Sequence, residues 1–289
     1  MLIFVVDLLM FATIALGILN GRKGSPGELF FSARMKEPSI CSGVRIHEKW
    51  IITLASCVIE EGLALPNRTD AKILVEGNSF IPLRIIVHSD YTEDFDSTIC
   101  EPNCPATDFA LIEIQSNSNI TFPAIKIGDH QVLEKGSSLR VASWGVKSNK
   151  KDTTVTTVPL WNSGVIGDIY YSLEYAFTDV VVVRVDQEQP LCEDDFGATL
   201  FRNENNTVVV YGLFLDLVGW TEQYCFDKAQ AYQFSSLYSA KSFIENTTNL
   251  TGLFLPSSRG LEPVNIADIH RSNSYLFLII MLLNILWLA

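Results

Sequence analysis

The chain has 289 residues, 48% hydrophobic and 19% charged, a balance that excludes a disordered or collagen-like polymer. Its 21 Lys and Arg against 33 Asp and Glu give a formal net charge of −12, with no basic cluster to offset it. A phosphate backbone would be repelled, so nucleic-acid binding is not expected.

Residues 1–17, MLIFVVDLLMFATIALG, form an apolar run broken by Asp7, and Ala15-Leu16-Gly17 fits the small-x-small rule of signal peptidase. The run lacks a basic n-region and is short for a membrane span of ~20 residues. A cleaved signal peptide is expected, with a retained anchor as the alternative. After it come short, β-rich segments. Asp108 to Ile114 and Leu139 to Trp144 alternate in polarity, while Asp179 to Asp186 and Thr207 to Leu217 are β-branched and aromatic enough for buried strands. One segment reads as a helix, Ser236 to Glu245, with Leu237, Ala240, Phe243 and Ile244 on one face. Many short strands and one late helix predict an all-β barrel or sandwich.

Residues 251–274 read as a polar linker, and 275–289, YLFLIIMLLNILWLA, as a hydrophobic tail. Fifteen residues of helix at ~1.5 Å each cover about 22 Å, short of the ~30 Å hydrocarbon core. A polar spacer with small residues ahead of such a tail predicts a GPI-attachment signal, Ser258 and Asn265 being the candidate acceptors. A short membrane anchor is the alternative.

Glycosylation sequons stand at Asn67, Asn119, Asn205, Asn246 and Asn249, each with Thr two residues on. The 6 cysteines are Cys41, Cys57, Cys100, Cys104, Cys192 and Cys225, an even count whose pairing arithmetic leaves open. A zinc site would need tight Cys or His pairs, and Cys100-x-x-x-Cys104 has no His nearby. Disulfides are expected, with no metal and no cofactor. Signal, sequons and cysteines together predict a secreted or extracellular protein attached to the outer cell surface through its tail.

Four blocks fall in order along the chain. Cys41-Ser-Gly-Val-Arg-Ile leads to Trp50-Ile-Ile-Thr-Leu-Ala-Ser56-Cys57, then Asp108-Phe-Ala-Leu-Ile, then Cys192-Glu-Asp-Asp-Phe196-Gly-Ala-Thr-Leu. They resemble the C-G-G-x-x-I, W-V-L-T-A-A-H-C, D-I-A-L-L and C-x-G-D-S-G-G-P-L segments of the trypsin-like (chymotrypsin-fold) serine proteases. The resemblance implies two antiparallel six-stranded barrels with a C-terminal helix, over a domain spanning residues 18–250. It also implies the pairings Cys41–Cys57, Cys192–Cys225 and Cys100–Cys104.

By the same resemblance the triad positions are Ser56, Asp108 and Phe196. A serine protease needs a hydroxyl nucleophile, an imidazole base and an acid to orient that base. Ser56 cannot take a proton at neutral pH, Phe196 has no heteroatom, and Asp108 has no imidazole to orient. The chain's 4 histidines, His47, His88, His130 and His270, fall in none of the matching blocks. The oxyanion positions are Asp194 and Phe196; the Asp194 charge would repel a developing oxyanion. Ile18 resembles the family's activated N-terminus, with Asp195 as its partner. The specificity pocket is altered at Pro190, Leu215, Asp216 and Leu217, which leaves no basis for a preference for basic residues.

The expectation is therefore an extracellular serine protease homologue without peptidase activity that binds proteins, either proteases or peptide segments. One alternative is an active serine-type endopeptidase with other catalytic residues. Another is a surface adhesion or receptor module on a protease scaffold.

Overall fold

The computed structural model describes residues 18, 22–25, 27–35, 41–60, 63–64, 73–75, 78–91, 107–115, 122–144, 165–171, 179–185, 191, 195–218 and 231–257. The expected signal peptide, the tail, Asn67, Asn119, Pro190, Asp194, His270 and the cysteines other than Cys41 and Cys57 lie outside these residues.

The first half of the chain builds one sheet. Its strands are β2 (Ser32–Met35), β3 (Cys41–His47), β4 (Trp50–Thr53), β7 (Ile73–Val75), β8 (Asn78–Phe80), β9 (Pro82–Val87) and β10 (Ala110–Ile114). They run in the order β8-β7-β2-β3-β4-β10-β9, and every neighbouring pair is antiparallel. A two-residue pair, β5 (Ile59–Glu60) with β6 (Leu63–Ala64), stands beside it. Burial of β3, β4 and β10 follows from their aliphatic content: Val44, Ile51, Ile52, Leu111 and Ile112 are all buried in one cluster.

The second half closes on itself. β12 (Ser138–Ser143), β13 (Val165–Tyr171), β14 (Val180–Val185), β15 (Thr199–Glu204), β16 (Thr207–Val218) and β17 (Ala231–Ser236) form the ring β13-β12-β15-β16-β17-β14, with β14 returning to β13. All six pairings are antiparallel, giving the expected six-stranded barrel. Two short strands are added. β1 (Arg22–Lys23) joins β13, and β11 (Ile125–Ile127) lies parallel to β16 with Ile125 opposite Val208. That parallel pair departs from the all-antiparallel expectation. β17 pairs with β16 only from Gly212 onward, so the edge at Val208–Val210 is left for β11.

The helix starts later than the periodicity suggests. Ser236 is still in β17, residues 237–240 are turns, and α1 spans Lys241–Thr248. Leu237, Ala240 and Ile244 are buried, but only Ile244 of these lies in α1, so the expected helical face is divided between the turn and the helix. Beyond α1, Leu253 and Leu255 bond backbone to backbone with Ile127, and Phe254 bridges to that residue. Residues 251–256 are therefore tied to the fold rather than linker, and the compact unit ends at Pro256. Among the described residues no helix is long and apolar enough to cross a membrane.

Candidate functional site

Ser56 sits in the 3-10 turn Ala55–Cys57 that follows β4, and the Cys41–Cys57 disulfide ties this turn to the start of β3. The bridge forms as the family resemblance implies. β4 and β10 pair with Thr53 opposite Ala110, so Asp108, two residues ahead of β10, falls beside that turn. The Ser56 N–H donates to Asp108 Oδ1 at 2.9 Å and the Ser56 hydroxyl donates to Oδ2 at 3.1 Å. Asp108 is only 2% exposed, whereas Ser56 faces solvent. Burial pushes the Asp108 carboxyl above the usual carboxylate range, against the opposing pull of the Ser56 and Ala55 hydrogen bonds.

The turn around Phe196 is bound to the same strand. Ser42, the second residue of β3, donates its N–H to the Phe196 carbonyl at 2.8 Å. Its hydroxyl accepts from the Trp144 N–H at 3.3 Å, and its carbonyl accepts from the Thr53 hydroxyl at 2.9 Å. Ser42 thus fastens the first sheet to the second barrel. Gly197, at φ +75°, is required here, because a Cβ would stand 2.1 Å from the Ser42 carbonyl oxygen.

The Phe196 ring is half-buried and packs against the cores of both halves. It lies flat on Phe214, with centroids 5.5 Å apart and planes at 10°. Phe214 in turn meets Tyr232 edge-on at 5.6 Å and Phe234 at 5.5 Å. The Tyr232 hydroxyl accepts from the Leu191 N–H at 3.1 Å. Stacked aromatic pairs add about 0.5–1.5 kcal/mol beyond their buried area. Where the family resemblance locates a nucleophile, this chain has a hydrocarbon stack.

Of the remaining expected site residues, Asp195 is fully buried in the turn, with its carbonyl accepting from Ala198. Ile18 is 1% exposed within the second barrel's core, among Leu133, Leu139, Leu191 and Ala198. Leu215 is buried and Asp216 half-buried, at the irregularity in the β16–β17 pairing. Leu217 follows in the same strand, opposite Tyr232.

The described histidines are engaged elsewhere. His88 meets Phe243 at a tilt, with ring centroids 4.9 Å apart, and its Nδ1 accepts from the Asp90 N–H. His130 Nδ1 pairs with the Ser236 hydroxyl at 3.0 Å in the interior. His47 Nδ1 accepts from the Lys49 N–H, and burial lowers its pKa. Among the described residues no group of His, Cys, Asp and Glu is arranged to hold a metal ion.

Sequence reasoning missed Ser42 and Phe214. Ser42 was signalled by the departure from C-G-G at Cys41-Ser-Gly. Phe214 was concealed in a strand whose apolar run says that it is buried but not against what.

A family model described as Trypsin matches residues 18–214, which contain the Ser56–Asp108 pair and the Phe196 stack. The chain belongs to the trypsin family. Among solved structures, this trypsin-family chain is similar to a mutant of human heparin binding protein. The TM-score is 0.58 at 17% sequence identity, over 82% of this chain and 99% of that one. At that identity the likeness establishes the fold, in agreement with the barrel and sheet described above.

Proposed function

We propose that this trypsin-family chain is an extracellular protein without peptidase activity that acts by binding other proteins or peptide segments. The observation that carries the reading is the pair of hydrogen bonds from Ser56 to Asp108. The acid that would orient an imidazole is instead saturated by the side chain and amide of a serine. The Phe196 ring, held on Phe214, provides no nucleophile. Without a triad, residual oxyanion stabilisation and binding account for only roughly 10³–10⁴-fold over water, and Asp194 opposes even that.

The net charge of −12 favours basic partners by long-range steering. Heparin, which the similar human protein is named for binding, is a polyanion, and this charge opposes it. The apolar run at residues 1–17, the sequons and the Cys41–Cys57 bridge support an oxidising, extracellular address. The 275–289 tail supports attachment through a GPI lipid.

The purified chain should take no label from a serine-directed fluorophosphonate and should cut no member of a broad peptide library. Specific labelling that is blocked by an active-site competitor would overturn the reading. A phosphatidylinositol-specific phospholipase should release the protein from intact cells. Retention, with a tag after Ala289 still detectable, would replace the lipid by a membrane span.

A further inference from the structure

Asp108 is satisfied in hydrogen bonds but not in charge. Its carboxyl is 2% exposed, and every donor on it is neutral: the Ser56 N–H, the Ser56 hydroxyl and the Ala55 N–H. Among the described residues no Lys, Arg or His forms an ion pair with it, and the ion pair nearest in sequence joins Arg84 to Glu113. His88 lies on the same ladder, with its N–H on the Phe109 carbonyl. Its Nδ1 is taken by the Asp90 N–H and its ring meets Phe243. A carboxylate buried without a cation carries a desolvation cost that neutral donors offset only in part.

Ser56 is the way in, because it faces solvent directly over that carboxyl. A serine hydroxyl has one proton to donate and two lone pairs. Here the proton points inward to Asp108 Oδ2 at 3.1 Å, and the Ser56 N–H points inward to Oδ1 at 2.9 Å. Both donors are therefore consumed. No described donor reaches the Ser56 Oγ, so outward it offers lone pairs alone, with the carboxylate behind them. A carbonyl or carboxylate approaching this surface meets like polarity. A cationic N–H donor meets a lone pair and the field of a buried charge, which solvent ions screen less than a surface one.

We propose that the Ser56–Asp108 pair takes a cationic N–H donor, the ammonium or guanidinium of a Lys or Arg side chain carried by a partner. The inference rests on the protein-binding reading above and names the chemistry at which that reading acts. The cation donates to the Ser56 Oγ while the Ser56 hydroxyl keeps its bond to Asp108, so no proton has to move. The net charge of −12 draws basic segments toward the chain, and this pair gives one of their side chains a defined seat.

The test titrates the isotope-labelled protein, recovered from secreting cells, with the peptide acetyl-Ala-Lys-Ala-amide at fixed ionic strength. The amide resonance of residue 56 is followed. The expected result is a saturating shift with the lysine peptide and none with its norleucine analogue, which keeps the aliphatic stem and lacks the ammonium. Asp108→Asn removes the charge and retains an acceptor, and should weaken binding about tenfold or more, as the loss of a close charge pair does. If that variant fails to fold, Ser56→His provides the second measurement, since an imidazole built into the chain over Asp108 should bar the peptide. The proposal is overturned if the lysine peptide does not saturate, if the norleucine analogue binds equally, or if either variant binds like wild type. Butylammonium chloride separates the two sources of the cation: weaker binding than the peptide assigns the ligand to a protein segment, and equal binding to a free amine. Fluorophosphonate treatment of the same preparation separates the two readings. No label and no cation binding defeats this inference alone, whereas specific labelling defeats the reading on which it rests.

Discussion

The amide and the hydroxyl of Ser56 both donate to the carboxylate of Asp108, so a buried acid is satisfied by the residue in the position where the family resemblance would place an imidazole. Burial nevertheless dominates and holds the Asp108 carboxyl above its ordinary value. A carboxyl with its folded pKa above its unfolded one binds its proton more tightly in the folded state. Its stabilising effect is full below the unfolded value of about 4 and is lost as pH rises through the folded value. Asp108→Asn keeps an acceptor for the Ser56 N–H and cannot ionise. The variant should therefore gain stability relative to wild type as pH rises from about 4 to 7, measured as the difference in urea midpoint. A variant weaker than wild type by more than about 1 kcal/mol at neutral pH would mean that the Ser56 bonds outweigh burial.

Phe196 contributes to the joint between the halves, and removing its ring should show it. Phe196→Ala loses the stack on Phe214 and half-buried contacts with both cores. We expect a loss of about 2–3 kcal/mol, below the range for a fully buried Phe. Phe196→Ser brings back a hydroxyl at the same cost and should not restore cleavage, since Ser56 provides no base. Ser56→His together with Phe196→Ser should also stay inactive while Asp194 remains. Turnover of a peptide substrate by either variant would contradict this account.

Gly197 and Gly136 offer a matched pair, since both have positive φ, at +75° and +83°. A Cβ at Gly136 would meet nothing within 4 Å, whereas at Gly197 it would strike the Ser42 carbonyl. Gly136→Ala should cost only the backbone strain, about 1 kcal/mol. Gly197→Ala should cost roughly 4 kcal/mol or more, or fail to fold. Equal melting temperatures in the two variants would show that the Ser42–Phe196 junction is loose.

Strands β10, β12, β14 and β16 were legible because their β-branched and alternating runs are long enough to show a period. β5 to β8 and β11 were not, being two or three residues long and fixed by their neighbours. The helix register was misjudged at its start because Ser236 completes β17, a pairing that no local pattern in the sequence reveals. Ser56 and Asp108 could be put side by side only through ordered family blocks. Their two hydrogen bonds then depend on the β4–β10 register, which three-dimensional structure supplies. Phe214 illustrates the same boundary: apolar periodicity assigns burial, and the partner ring 18 positions earlier in the chain comes only from topology.

Ile18 and Asp195 are both buried, and their chemistry at the mature terminus can be tested directly. If a signal peptidase cuts after Gly17, the first residue is Ile18, and its new amine is expected to pair with the Asp195 carboxylate. Gly17, rather than Lys or Arg, precedes Ile18, so a trypsin-type cleavage would not free it. Sequencing of the secreted chain should read Ile-Leu-Asn-Gly. Asp195→Asn would then strand an ammonium in an apolar core, at a cost of about 3–5 kcal/mol. Acetylation of the terminus should reproduce that loss, because it removes the same charge from the other side. A chain starting elsewhere, or an unchanged melting temperature in Asp195→Asn, would show that the buried pair does not form.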